Sequence, residues 1–315
     1  MKNCYEGNGI FTCFSITTDR IIWFFTASLL ICSSYLSASE SNPKILAVVA
    51  HPDDETQFAA TLYKISHEMG GTVDVVMITN GEGGYKYSTL AEPIYHMKLT
   101  DEKVGRQRLP FIRKNEALNG GKILGVRNYF FLEEKDTGYT QDPSEVLQGA
   151  WNVNRIKQML NKLILEGQYD YIFVMLPTQE THGHHKAATI LALEVVKELM
   201  ENKPTILAAK ISEKNENEFK FNQLDDFPIT KTQESPIAFV DKTKKFGFND
   251  RLDYKIVVNW VIAEHKSQGT MQLYMNRGDY ENFYFFELNS PEKIEKTIKL
   301  FNQLAVVPSK HLTRA

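Results

Sequence analysis

From Lys44 onward the chain alternates short, continuous apolar runs with longer segments of helical period, and this alternation limits the fold more than any other feature. Residues 45–50 and 73–79 read as buried strands, and residues 56–69 between them as a helix stopped by Gly70 and Gly71. Such an order predicts an α/β fold: a Rossmann-like, mainly parallel sheet with crossover helices. Residues 106–118 have helical spacing on either side of Pro110, and residues 129–132 read as a short strand. Ile156, Met159, Leu160, Leu163 and Ile164 recur at the spacing of one helix face, so their use is packing. Residues 171–176 read as another buried strand and residues 185–200 as an apolar-faced helix. Beyond Pro204 the pattern weakens. Residues 213–226 are polar, residues 252–265 regain helical spacing, and residues 283–288 look like a late strand. The reading is one α/β domain over 39–315 with an irregular C-terminal portion, in which 204–250 is a variable insertion or an elaboration of the substrate site.

A chain of 315 residues, 43% hydrophobic and 24% charged, has enough apolar material for a sizeable core. A net charge of −3, with both signs interspersed, gives no surface for gripping nucleic acid. Lys242, Lys244 and Lys245 form a short basic cluster that reads as a solvated loop. Near the N-terminus Arg20 precedes an apolar run over 21–36, followed by Ser37, Ala38 and Ser39. That run is shorter than the ~20 residues of a membrane-spanning helix and has the pattern of a secretory signal. Residues 1–38 are therefore expected to be removed near Ala38. The mature protein is then exported, periplasmic or extracellular, and has no stable membrane span. Cys4, Cys13 and Cys32 all precede the expected cut, so a metal in the mature protein must be held through His, Asp or Glu.

The chemistry concentrates in two places. The first strand runs into Ala50-His51-Pro52-Asp53-Asp54-Glu55-Thr56, which packs an imidazole and three carboxyl groups at a strand's carboxyl end, the edge where open α/β sheets bind ligands. Capping of the following helix is the competing explanation, since Pro and acidic residues suit a first turn. The strand at 171–176 is followed by His182-Gly183-His184-His185, three of the chain's eight histidines within four residues. If both strands are parallel members of one sheet, the two loops share an edge and converge. Hydrolytic zinc takes three nitrogen or oxygen ligands and keeps a fourth position for water. His51, one Asp and one His supply that set. The other Asp is left to accept a proton, and a spare His to stabilise an oxyanion.

These motifs resemble the PIG-L or LmbE-like zinc-dependent N-deacetylases over about 44–268, excluding much of 204–250. The resemblance rests on the stretch at 50–55 and on His182-x-x-His185. It is supported by the Thr79-to-Gly84 stretch, by Arg113 with Glu116, by Asp136-Thr137-Gly138 and by Glu264-His265-Lys266-Ser267-Gln268. It implies one Zn²⁺ per chain held by His51, Asp54 and His185, with Asp53 as general base. His182 would polarise the carbonyl and protonate the leaving amine, and Arg113 and Asp136 would bind sugar. The implied substrate is a small molecule or glycan carrying an N-acetylated amino sugar such as N-acetylglucosamine. Association of several copies is compatible with the sequence. An amidase acting on another N-acyl compound needs the same metal site. A carbohydrate-binding protein without catalysis has no need of a base beside a metal ligand, and a metal phosphoesterase normally needs a second metal. Gly183 and His184 depart from the Pro and Asp often found inside the second motif. Glu180 stands where some sugar-inositol deacetylases carry a tyrosine.

Overall fold

The computed structural model describes residues 42–308. The apolar run at 21–36 and the expected cut near Ala38 lie outside the described residues. Among those described, no helix is long and apolar enough to cross a membrane.

The strands are β1 (Lys44–Val49), β2 (Thr72–Thr79), β3 (Val126–Glu134), β4 (Tyr171–Met175), β5 (Thr205–Ser212), β6 (Ala238–Asp241) and β7 (Tyr280–Phe285). They form one sheet in the order β3-β2-β1-β4-β5-β7-β6. The first five of these neighbours run parallel, whereas β7 pairs antiparallel with β5 and β6 antiparallel with β7. The parallel part thus has the doubly wound order 3-2-1-4-5, whose direction reverses between β1 and β4.

Alternate residues of β1 enter opposite cores, which is why the strand is apolar at nearly every position. Leu46 and Val48 pack with Ile156 and Leu160 of helix α3 (Val153–Gly167) and with Ile190 and Leu193 of α4 (Gly183–Glu198). Ile45, Ala47 and Val49 face the other core. There they join Leu62 of α1 (Ala59–Tyr63), Ala117 of α2 (Glu102–Leu124), Val257 of α5 (Lys255–Glu264) and Phe301 of α6 (Lys293–Leu304).

Three sequence expectations change. The helix expected over 56–69 is a 3-10 turn, a short α-helix and a π turn in succession, ended by Gly70 at φ 67°. The helix expected on either side of Pro110 is a single helix, α2, running through it. The C-terminal part is less irregular than its sequence: residues 205–212, inside the span read as an insertion, form β5 beside β4, and β7 and β6 extend the same sheet. Alanines, a lysine and isolated aromatics in these strands blur the apolar runs that mark the first four.

Candidate active site

β1 and β4 lie side by side in parallel, with Ile45 opposite Tyr171 and Ala47 opposite Phe173. The loops that leave their carboxyl ends therefore meet at the switch point of the sheet. The first carries His51 to Glu55, and the second carries His182 to His185 into the first turn of α4. Gly183 is required at that turn. Its backbone N–H donates to Thr140 O at 2.7 Å, which a proline there cannot do, and an added Cβ would stand 2.8 Å from Asp142 O.

His51, Asp54 and His185 place one ligand atom each within 4.8 Å of the others. Asp54 Oδ1 is 3.0 Å from His185 Nε2, and Asp54 Oδ2 is 3.6 Å from His51 Nδ1. His51 Nδ1 and His185 Nε2 are 3.0 Å apart. At most one hydrogen fits between those two nitrogens, so the lone pairs of two imidazoles and a carboxylate converge on one point. This is the donor set of a divalent cation, and two nitrogens with one carboxylate oxygen suit zinc. Asp54 is aimed by its own loop: the backbone N–H groups of Ala50 and His51 donate to Oδ2 at 3.0 and 2.8 Å. Burial opposes its charge, but His185 and His51 outweigh burial and hold the Asp54 pKa well below the ordinary carboxylate range. Burial likewise disfavours the imidazolium of His51, yet the hydrogen bond and charge of Asp54, with Asp136 and Asp53 beyond, raise its pKa to about 9. The carboxylates that raise it favour positive charge at this point.

A second grouping, His51 with His182 and His184, also has ligand geometry, and in it His51 and His184 contact each other directly. His184 is fully buried, with Nδ1 2.9 Å from His51 Nε2 and Nε2 3.2 Å from Thr137 Oγ1. It stands behind His51, where an acceptor fixes the ring's tautomer and orientation. The N–H of His184 in turn donates to His182 Nδ1 at 3.0 Å, which leaves the proton of neutral His182 on Nε2. Burial first, then the charges of His51 and His185, lower the His182 pKa to about 3.

Asp53 is the one residue of the first loop with strained backbone, at φ 120° and ψ −20°, a region that costs a non-glycine residue about 1–3 kcal/mol. Burial first, and then the neighbouring Asp54, push its pKa up to about 7 against the pull of His265, His51 and Arg113.

All seven residues singled out from the sequence line one cavity of about 930 Å³: His51, Asp53, Asp54, His182, His185, Arg113 and Asp136. Arg113 is not paired with Glu116, whose carboxyl is taken by Tyr95 and Ser267. Instead Nη1 of Arg113 donates to Gly81 O, while Nε and Nη2 meet no hydrogen-bond partner. Gly81 (φ 70°) leaves room for this approach, since a Cβ there would lie 2.8 Å from Nη1. Asp136 accepts the N–H groups of Gly83 at 3.0 Å and Gly138 at 2.9 Å, so it ties two walls of the cavity together. Glu180 is exposed and outside the lining. Sequence reasoning did not assign roles to Arg106, Thr137, Tyr139 or the buried pair Glu55 and His265. Glu55, Thr137 and His265 fall within the motifs quoted above, but their partners are remote in sequence, so the spacing gave them no role.

The α/β sheet thus carries, at its switch point, a His-Asp-His cluster that could hold a metal ion. Residues 46–196 match the PIG-L family, described as GlcNAc-PI de-N-acetylase, and the chain carries this deacetylase-family domain. No curated protein sequence matches the chain. Similar solved structures include N,N'-diacetylchitobiose deacetylase from Pyrococcus horikoshii with its inhibitor, 19% identical over 85% of this chain and 93% of that one, TM-score 0.42. Another is 4-carboxy-2-hydroxymuconate hydratase from Pseudomonas putida, 15% identical over 77% and 95%, TM-score 0.48. A third is the A40926 pseudoaglycone deacetylase Dbv21, 16% identical over 78% and 97%, TM-score 0.47.

Proposed function

We propose that the protein is an exported, zinc-dependent N-deacetylase that removes the acetyl group from an N-acetylated amino sugar of a glycan or glycoconjugate. The observation that carries this reading is the convergence of His51, Asp54 and His185 in one cavity with Asp53 beside them, inside a PIG-L domain. His51, Asp54 and His185 would hold a divalent cation, which would supply Lewis acidity to water and to the acetyl carbonyl. Asp53 accepts the proton of the attacking water. His182 donates its Nε2–H to the developing oxyanion. As a neutral ring whose Nδ1 already accepts a backbone N–H, His182 has no second proton to give. In this reading the leaving amine takes its proton back from Asp53, the role that the family resemblance gives to His182. Arg113, a lining residue whose Nε and Nη2 are buried without partners, is assigned to the sugar, and Asp136 holds the loops beside it.

A glycan suits the rest of the cavity. Tyr87, Tyr139 and Tyr274 line it with 48%, 71% and 57% of their surface exposed, and the apolar face of a sugar ring packs on such side chains. The test is acetate release from N-acetylated mono- to tetrasaccharides by zinc-loaded protein, with His185→Ala alongside. Expected are acetate release by the wild type and loss of both metal and activity in the variant. A metal-loaded wild type that leaves every saccharide intact but cleaves other N-acyl compounds is an amidase of a different kind. Full metal occupancy in His185→Ala overturns the ligand assignment.

A further inference from the structure

The strained loop at Asp53 is held from the far half of the chain. Glu55 and His265 are both fully buried, and neither lines the cavity. His265 Nε2 donates to Glu55 Oε1 at 2.7 Å, and Glu55 Oε2 accepts the backbone N–H of Asp53 at 3.0 Å. The other imidazole nitrogen, Nδ1, meets no hydrogen-bond partner, so the polar engagement of this ring is with Glu55. His265 follows α5 and is itself fixed. Its N–H donates to Ile262 O at 3.1 Å, its carbonyl accepts Gln272 Nε2 at 3.0 Å, and Ser267 two residues on is bound through N and Oγ to Glu116 of α2. Gly120 of α2 packs directly over the pair, since a Cβ there would lie at contact distance, 3.7 Å, from both Glu55 Oε1 and His265 Nε2. On the opposite side Thr56 N and Oγ1 donate to Asp53 O at 3.1 and 2.7 Å.

We propose that Glu55 and His265 are positioning residues: together they clamp the backbone of Asp53 at positive φ and so aim its carboxyl group into the cavity beside Asp54. Glycine alone adopts φ near 120° freely. Without the clamp an aspartate relaxes to negative φ and its side chain turns away. The burial of two polar groups behind the site then has a use, since the pair carries the position of α5 to the reacting residue. The effect on turnover rests on the reading of Asp53 as the base; the effect on backbone conformation does not.

The decisive measurement is a double-mutant cycle in unfolding stability, made on metal-loaded protein. In the wild-type background Asp53→Gly relieves strain and raises the midpoint of unfolding. In the Glu55→Ala background the loop is already relaxed, and the same change gains little. Additive effects overturn the clamp, whatever reaction the protein catalyses. In the deacetylation assay Glu55→Ala lowers kcat 10- to 100-fold with KM and metal content unchanged. Glu55→Gln, whose amide oxygen still accepts the Asp53 N–H, restores kcat to within a few-fold of wild type. Equal losses in both variants overturn the hydrogen-bond account. Should Glu55→Ala fail to fold, His265→Leu and His265→Gln pose the same comparison from the other partner.

Discussion

At the scale of single residues, Asp53 and Asp54 are adjacent in sequence and opposite in character. Asp54 takes two backbone N–H groups and two imidazoles, which stabilise its charge. Asp53 has burial and a like-charged neighbour, which raise its pKa to about 7. A proton acceptor must be deprotonated to act, so activity is lost as pH falls through the Asp53 pKa. A cation on His51, Asp54 and His185 favours the charged form, so in the metal-loaded enzyme the acidic limb of kcat/KM falls below about 7. Asp53→Asn keeps the size and most of the hydrogen bonding but removes that acceptor. The rate is expected to drop 10²- to 10⁴-fold, about 3–5 kcal/mol of transition-state stabilisation, while metal content is unchanged. Loss of the metal in this variant makes Asp53 a ligand instead. The motif at 51–54 marked residues that could hold a metal. It did not show the +120° backbone angle at Asp53, because that angle depends on Glu55 and His265, 210 positions apart.

At the scale of elements, the polar exception within β2 does the most to join neighbours. Asp74 is buried in a strand otherwise lined by Val and Met, and it gathers Arg127 and Asn128 of β3 and the hydroxyl of Tyr169 just before β4. Asp74→Ala strands the largely buried Tyr169 hydroxyl, while Arg127, half exposed, can turn to water. The expected loss is about 2 kcal/mol of unfolding free energy, read by chemical denaturation with the slope unchanged. A loss below about 0.5 kcal/mol would show that Asp74 is not a structural hub. The period of apolar residues identified β1, β2 and β4 to within a residue or so at each end. It found helical spacing on either side of Pro110 over 106–118 but not that one helix runs through it over 102–124, although proline removes one helical hydrogen bond at a cost of about 3 kcal/mol in isolation. Contacts with α5 and with the turn at 82–87 hold the helix through that point.

At the scale of the whole molecule, the apolar run over 21–36 and the small residues that follow it motivate the proposal of an exported, cleaved form. Mass spectrometry of protein from the extracytoplasmic fraction is expected to find an N-terminus close to Ser39, and an intact Met1 there refutes cleavage. The sequence by itself determined the α/β class, the two loops that carry the chemistry and the residue types a metal requires. These are written in short windows, as apolar periodicity and as His and Asp spacing, and such patterns survive without knowledge of the fold. Tertiary structure alone decided that β1 and β4 are neighbours, so that His51 meets His185 across 134 positions. It decided that His184 packs against His51, that Arg113 bonds to Gly81 instead of pairing with Glu116, and that the later, more polar part of the chain supplies β5, β7 and the His265 that meets Glu55. Each of these depends on which buried donor finds which acceptor. A buried polar group must take the partner that packing brings to it, and packing is settled only when the whole chain has closed around its core.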